Sequence, residues 1–358
     1  MSIWRWADLI EPVPVEARIT LGEGNTPLMR SRRIGPAAGL KNLFFKLETG
    51  NATGSYKDRF AFAGISHMVA KGKKKCIATS SGNTGAALAA YCAAAGIECR
   101  IAIVEGAPLG KLTQMMAYGA KIARIKKFGT DATTTTNVLE KLQRLGHRPD
   151  SALQVSAFVY SPTGMSGVQT MAFELAEQSP EGIDHVFCPA GGGGLCVAMA
   201  RGFGQMAEKG KLEKLPAVEC VQPEGNNTIS GPLREGAKRA QPVACTTQVS
   251  GLQVASVVDG HLAVAECRAT GGTGHLVADQ FVWDVQKRLA REEGIFSEPA
   301  GSVALAGALK AAENGEIDKD AKIVCIVSGS GFKDSAAIDR INSDVDCPTV
   351  DISAIDEW

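Results

Sequence analysis

The 358-residue chain lacks any excess of charge: thirty-eight lysines and arginines face thirty-eight aspartates and glutamates. Its global field gives no reason to expect a nucleic acid or an anionic membrane as partner, and a small neutral or zwitterionic ligand fits better. No uncharged apolar stretch approaches the roughly 20 residues of a membrane span. The start, MSIWRWADLIEPVPVEAR, has no basic-then-apolar leader, so a cytoplasmic protein without membrane attachment is expected. The ten cysteines include no Cys-x-x-Cys pair, which excludes zinc-ribbon and dithiol redox motifs. They sit in apolar contexts such as AAYCAAAG and IVCIVSG, as reduced thiols that pack like small hydrophobes do, and a disulfide framework is not expected in a chain this long. Five histidines show no metal or triad spacing, and no metal is expected. There is no repeat of about 20 to 50 residues. Neither a Gly-x-x-x-x-Gly-Lys-Ser/Thr loop nor the Gly-x-Gly-x-x-Gly spacing with a downstream acid occurs, which argues against triphosphate binding and against a nucleotide-dependent dehydrogenase.

What the chain has is 45% apolar residues, ample for a core, in a length that suits about two domains. From about residue 43, continuous apolar runs (NLFFKLE, KCIATSS, ECRIAIVE, KIARIKK) alternate with helical patterns (RFAFAGISHMVAKG, GNTGAALAAYCAAAG, KLTQMMAYG). Strand then helix, repeated, predicts βαβ units and a mainly parallel sheet, and continuous rather than alternating runs are what burial on both faces demands. A second series runs from HVFCPAGGGGLCVAMARGF through AVECVQPEG, QFVWDVQKRLAREEG and GSVALAGALKAAENG to KIVCIVSGSG, which predicts two α/β domains. Segments 129 to 165 and 225 to 275, rich in Gly, Thr, Ser and Pro, punctuate the pattern. Ligands of open parallel sheets sit beyond the carboxyl ends of strands, so the turns after strands are the places to read.

Four such turns carry chemistry. In KLETGNATGSYKDRF a glycine- and serine-rich turn rises to Lys57 at or near the first turn of a helix, where the positive end of the helix dipole lowers an amine's pKa. A surface lysine followed by a helix-capping Asp58 fits the same pattern. In CIATSSGNTGAALAAY, Ser80, Ser81, Asn83 and Thr84 gather before an alanine-rich helix with no lysine or arginine in the loop. That arrangement suits a carboxylate better than a polyphosphate, or it is plain N-capping. In VFCPAGGGGLCVAMARGF, Gly191, Gly192, Gly193 and Gly194 strip side chains from a strand-to-helix turn, so that backbone N–H groups can surround one phosphate monoester. In KIVCIVSGSGFKD, Ser328 offers a neutral hydroxyl at the end of the last strong strand, although a turn requirement explains its glycine neighbours equally well.

An amine, an amide donor, a phosphate cup and a hydroxyl are the partners that pyridoxal 5'-phosphate needs. Lys57 would take its aldehyde as a Schiff base, Asn83 its phenolic oxygen, Gly191 to Gly194 its phosphate and Ser328 its ring nitrogen.

These motifs resemble those of the pyridoxal-phosphate enzymes of the tryptophan-synthase β fold (fold type II), and among them most closely threonine synthase. The resemblance covers nearly the whole chain: GEGNTPL (22 to 28), NATGSYKDR, SSGNTGAALAAY, PAGGGGL, FSEPAGSVALAGALKA (296 to 311) and SGSGFKD (328 to 334). It implies two three-layer αβα domains with the cofactor in the cleft between them. Residues 62–160 would form a smaller mobile domain, and 1–61 plus 161–358 a larger one carrying the phosphate cup. It also implies a small amino-acid substrate and a second copy of the chain in a homodimer, with no nucleic acid or membrane partner. A hydroxyl rather than a carboxylate at the ring nitrogen does not force the pyridine into its protonated form, which disfavours transamination and leaves elimination or replacement at Cβ or Cγ.

One departure matters. Where threonine synthases place an Asn-Pro-x-Arg segment whose arginine grips the phosphate of O-phosphohomoserine, this chain reads SAFVYSPTGMSGVQT, with Gly164 at the arginine's position. A bidentate clamp is lost, which lysine replaces only in part. The expected activity is therefore threonine synthase-like, with a β-replacement synthase of the cysteine or cysteate kind, or an amino-acid dehydratase, as alternatives. Tyr160 and Ser161 in the same loop are candidate substrate contacts together with Ser80, Ser81, Asn83 and Thr84, and a core tyrosine is the other reading of Tyr160. A rival of another class is a protein that retains the cofactor but binds metabolites or partners without turnover.

Overall fold

A computed structural model of the chain describes residues 2–357. Ten strands alternate with helices: β1 (Leu28–Arg30), β2 (Asn42–Leu47), β3 (Lys75–Thr79), β4 (Glu98–Val104), β5 (Lys121–Ile125), β6 (Ser151–Gln154), β7 (His185–Pro189), β8 (Ala217–Pro223), β9 (Gly274–Val277) and β10 (Lys322–Val327). They form a six-stranded sheet in the order β1-β2-β10-β7-β8-β9 and a four-stranded sheet in the order β5-β4-β3-β6. Every pairing is parallel except β1 with β2, in line with the mainly parallel α/β class expected from the sequence.

β10 shows why these runs are strands. Ile323, Cys325 and Val327 enter one apolar core, with Phe45, Phe187 and Val303, while Val324 and Ile326 enter the other, with Val186, Cys188 and Val197. Alternate side chains serve opposite faces, and both faces are covered by helices, so the run reads as uninterrupted hydrophobicity. The order of the sheet puts β2, β10 and β7 side by side. The turns that follow them, at residues 51–56, 328–330 and 190–193, therefore lie together at one edge although they are far apart in sequence.

Two loop-rich segments hold more structure than their composition suggests. Segment 129 to 165 contains a 15-residue helix, Ala132–Gly146, and β6. β-Branched threonines disfavour a helix intrinsically. Here Asp131 caps it by accepting from Thr134 N at 2.7 Å, and the hydroxyls of Thr135 and Thr136 donate back to Asp131 O and Ala132 O at 2.8 and 3.1 Å. In segment 225 to 275 the helix Gly260–Ala269 follows a stretch whose residues 250–254 run along the mouth of the cleft. All ten cysteines are free thiols, and Cys76, Cys92 and Cys99 bring their sulfurs within 4.8 Å of one another in the core. Among the described residues no helix is long and apolar enough to cross a membrane.

Candidate active site

The turn leading to Lys57 is fixed by the loop after β10. Gly54, with φ of +85°, accepts from Ser330 N at 2.9 Å, Ser55 bridges to Gly329, and Tyr56 N donates to Ser328 O at 3.0 Å. Only glycine adopts that φ at no steric cost. Asp58 is not an exposed cap. It is fully buried and closes the turn by accepting from Thr53 N and Thr53 Oγ1 at 2.7 and 2.6 Å, and its burial raises the carboxyl to about 6.

Beneath the turn lies a buried ion cluster. Arg59 is 0% exposed. Its Nε and Nη2 donate to Glu48 at 2.7 and 2.9 Å, and its Nη1 and Nη2 donate to Glu174 at 3.0 and 2.8 Å. Lys46 Nζ adds a bond to Glu174 Oε2 at 2.9 Å. The GEGNTPL stretch feeds the same cluster: Asn25 N donates to Glu174 and Thr26 Oγ1 to Glu48, both at 2.7 Å. Two cations and two anions in a dry site are balanced and geometrically specific, and together they set the position of the helix Lys57–Ala70.

Lys57 Nζ reaches into a cavity of about 570 Å³ between the two sheets. It donates to Ser156 Oγ at 2.7 Å and lies 4.4 Å from the centre of the Tyr56 ring. Burial lowers its pKa to about 8, against the opposing pull of Asp259 and Glu298, so a neutral amine is within reach near neutrality. Ser80, Ser81, Asn83, Thr84, Gly191, Gly192, Gly193, Gly194 and Ser328 line the same cavity. The four turns picked out in the sequence do converge.

The glycines after β7 are there because side chains have no room. A Cβ on Gly193, whose φ is +92°, would stand 2.8 Å from Ala263 Cβ and 2.9 Å from Ile229 Cδ1. A Cβ on Gly194 would stand 2.9 Å from Asp259 Oδ2. The helix Gly194–Glu208 starts from this cup, so its free N–H groups and dipole face the space the glycines leave open. Ser80 to Gly82 likewise lead into the helix Asn83–Ala95.

Two expected substrate contacts lie outside the cleft. Ser161 is 4% exposed, accepts from Val155 N at 3.0 Å and starts the helix Pro162–Val168. Its hydroxyl is spent on local structure. Tyr160 is 46% exposed and faces a different cavity, on the far side of the turn that contains it. Neither lines the cleft, because the chain turns outward after Ala157.

Three cleft residues escaped the sequence reading. Ser156 follows β6 without any motif. Asp259 is 1% exposed, accepts from Phe158 N and Val159 N at 2.8 and 3.1 Å, and is raised in pKa by burial. Glu298 accepts from Asn83 Nδ2 at 2.7 Å, and burial pushes its carboxyl up to about 7. Its signal was the FSEPAG stretch, which carried the family resemblance without a role for the acid. At the mouth, Lys111 donates to Ser250 Oγ and lies 3.1 Å from Asp334, while Lys333 donates to Gln114.

A lysine of lowered pKa, a cup that any Cβ would fill and neutral donors opposite it fit pyridoxal phosphate in both shape and chemistry. Comparison with known proteins agrees. Residues 19–329 match the family model described as "Pyridoxal-phosphate dependent enzyme". The threonine synthase of Methanocaldococcus jannaschii is 34% identical over 348 residues, covering 96% of this chain and 84% of that protein. The threonine synthase of Methanosarcina acetivorans is 32% identical, covering 99% and 86%. Among solved structures, maize serine racemase aligns with a TM-score of 0.72 at 26% identity, covering 96% and 93%. The processed form of threonine deaminase isoform 2 from Solanum lycopersicum aligns with a TM-score of 0.75 at 23% identity, covering 96% and 94%, and at that identity the likeness is one of fold.

Proposed function

The chain belongs to the pyridoxal-phosphate dependent enzymes, as a threonine synthase-like carbon–oxygen lyase of fold type II, and from that premise we propose that Lys57 is its Schiff-base lysine and acid/base residue. The observation that carries this reading is the meeting of Lys57, the Gly191 to Gly194 cup, Asn83 and Ser328 in one cavity. When bound, pyridoxal phosphate supplies an aldehyde that captures amines and a ring that draws electrons from the substrate's α carbon. Gly191 to Gly194 would hold its phosphate, Asn83 its phenolic oxygen and Ser328 its ring nitrogen.

The chain's own groups then do the rest. Ser80, Ser81, Asn83 and Thr84 present hydroxyls and amides at a helix N-terminus to the substrate carboxylate. Lys57 Nζ, oriented by Ser156 Oγ and lowered to about 8, takes the proton from the α carbon and returns it later in the cycle. A leaving group departs from Cβ or Cγ, and water or another nucleophile adds. Residues 62–160, which hold the four-stranded sheet, act as the smaller mobile unit and close over the cleft to keep water from the reacting centre. We place the protein in the cytoplasm, where free thiols persist, as a homodimer.

The substrate is an amino acid with a leaving group on its side chain, O-phosphohomoserine being the first reading. A second is favoured by Gly164. A Cβ there would stand 2.5 Å from Phe60 Cε2, so no arginine can be seated, and the cations left at the mouth, Lys111 and Lys333, already have partners. A less anionic leaving group, in β-replacement or dehydration, answers to that cleft. Incubating the cofactor-loaded protein with O-phosphohomoserine, O-acetylserine, serine and threonine tests this, with the cofactor's absorbance and the released phosphate, acetate or ammonia as readouts. Turnover of one substrate, abolished in Lys57→Ala together with the cofactor's absorbance band, is expected. Binding without any turnover would leave a metabolite-binding protein, and turnover that survives in Lys57→Ala would refute the lysine's role.

A further inference from the structure

A second cavity, of about 410 Å³, opens away from the cleft and is lined by His67, Lys71, Lys73, His147, Gln154 and Tyr160 among others, with no aspartate or glutamate on its wall. The ends of the helices Lys57–Ala70 and Ala132–Gly146 and strand β6 enclose it. β6 is the edge of its sheet, so no further strand fills this side.

Helix carboxyl ends attract cations for their own sake, and part of the set is explained that way. Lys73 Nζ donates to Pro149 O at 3.0 Å, and His147 Nδ1 lies 2.7 Å from Gln143 O. The remainder is not. Among the described residues the Lys71 ammonium has neither hydrogen bond nor ion pair. His67 Nε2 is buried and has no hydrogen-bond partner. Burial first, and the charge of Lys71 second, hold His67 below its usual range against the opposing effect of Glu11. Met68 and Leu153 add an apolar floor.

We propose that this cavity is a second ligand site, taking a phosphate-bearing small molecule whose anion meets Lys71, Lys73 and the two imidazoles while its apolar part lies on Met68, Leu153 and Tyr160. Lysine meets a phosphate as a point charge, without the planar fork that arginine offers, a neutral imidazole adds an N–H donor, and the volume falls within the range of small-molecule pockets. The site backs onto the turn at Phe158 and Val159, whose amides hold Asp259 beside the glycine cup. An occupant would therefore sit one turn away from the cleft.

The test is calorimetric titration of the pyridoxal phosphate-saturated protein with inorganic pyrophosphate and, separately, with AMP. Saturation occupies the glycine cup, and the substitutions at Lys71 and Lys73 separate heat from the second site from any in the substrate part of the cleft. Saturable binding is expected, weakened at least about tenfold by Lys71→Gln with Lys73→Gln, in keeping with two lost charge-assisted contacts. Lys74→Gln, which removes an exposed charge outside the cavity, should leave it unchanged, and Tyr160→Ala should weaken AMP more than pyrophosphate. No saturable heat with either probe, heat that survives the double substitution, or an equal loss in Lys74→Gln overturns the proposal.

Discussion

Replacing Glu298 by glutamine should make the stability of the protein less sensitive to pH between 5 and 8. Glu298 is 8% exposed, and burial raises its carboxyl from 4.5 to about 7 against the weaker, lowering effects of the Asn83 bond and Lys333. In the unfolded chain the group titrates at its ordinary 4.5. Between those two values the folded protein holds a proton that the unfolded chain has released, so stability falls as pH rises through the window. The favourable contribution is complete below about 4.5 and gone above about 7. Of the difference, 7 minus 4.5 or about 2.5 units, about 2 lie above pH 5, and at about 1.4 kcal/mol each these amount to about 3 kcal/mol across the pH 5 to 8 series. Unfolding entropy of about 2.1 cal/mol/K per residue gives about 0.75 kcal/mol/K for this chain, so the shift is about 4 °C in Tm. Glutamine keeps an oxygen for Asn83 Nδ2 and cannot ionise. Scanning calorimetry of the cofactor-free protein at pH 5, 6, 7 and 8 should show the variant gaining about 4 °C on the parent across the series. A Tm difference that stays constant with pH would mean that Glu298 is ionised throughout, with the Asn83 amide sufficient to hold its charge.

Gly193→Ala should lower cofactor affinity at least about tenfold and cost about 1–3 kcal/mol in backbone strain, because the left-handed φ and the 2.8 Å approach to Ala263 leave the new methyl nowhere to go. Gly204→Ala, on the same helix with nothing within 4 Å of its Cβ, should leave affinity unchanged and gain about 0.5–1 kcal/mol. Equilibrium dialysis and thermal unfolding distinguish the two, and equal affinities would show that the cup is not a close-fitting one. Arg59→Met should cost about 3–5 kcal/mol, since it strands Glu48 and part of Glu174 in a dry site. By the same entropy that is a fall of about 4–7 °C in Tm, and a change under about 1 °C would mean that Lys46 alone balances the cluster.

Most of the site was legible because its chemistry sits in turns, where glycine, serine and asparagine are not obliged to pack. Lys57, Asn83, Gly191 to Gly194 and Ser328 could be read from local spacing, and they line one cavity. What was missed lies where local pattern is silent. Glu298 and Asp259 matter through partners 215 and 100 or more residues away in the chain, which no window of sequence contains. Tyr160 was assigned to the cleft because it lies in the loop that resembles the family's substrate-phosphate segment. The backbone turns outward after Ala157, and that direction is set by the amides bonding Asp259. The helix Ala132–Gly146 was hidden by its threonine run, whose poor propensity is outweighed by the Asp131 cap and by an apolar face that includes Leu142.

The order of the six-stranded sheet explains how so few residues suffice. With β2, β10 and β7 adjacent, the turns carrying Lys57, Ser328 and the glycine cup are set by the spacing of one parallel sheet, about 4.8 Å per strand. The Ser55 to Gly329 bridge and the Tyr56 to Ser328 bond then lock two of them together. The proposed holders of aldehyde, ring nitrogen and phosphate thus share one scaffold, whose core is filled from both faces. The Ser80 to Thr84 loop follows β3 of the other sheet. It meets that scaffold through the Asn83 to Glu298 bond, the mouth contacts of Lys111 and the bond from Lys57 to Ser156. On the proposed roles, the holders of aldehyde, ring nitrogen and phosphate lie on one sheet while the carboxylate loop, with the Asn83 contact to the phenolic oxygen, lies on the other, so relative movement of the sheets would alter the carboxylate site and the Asn83 contact and leave the other three in place. On that reading the cleft can open for substrate while three of the cofactor's four proposed holders keep their spacing.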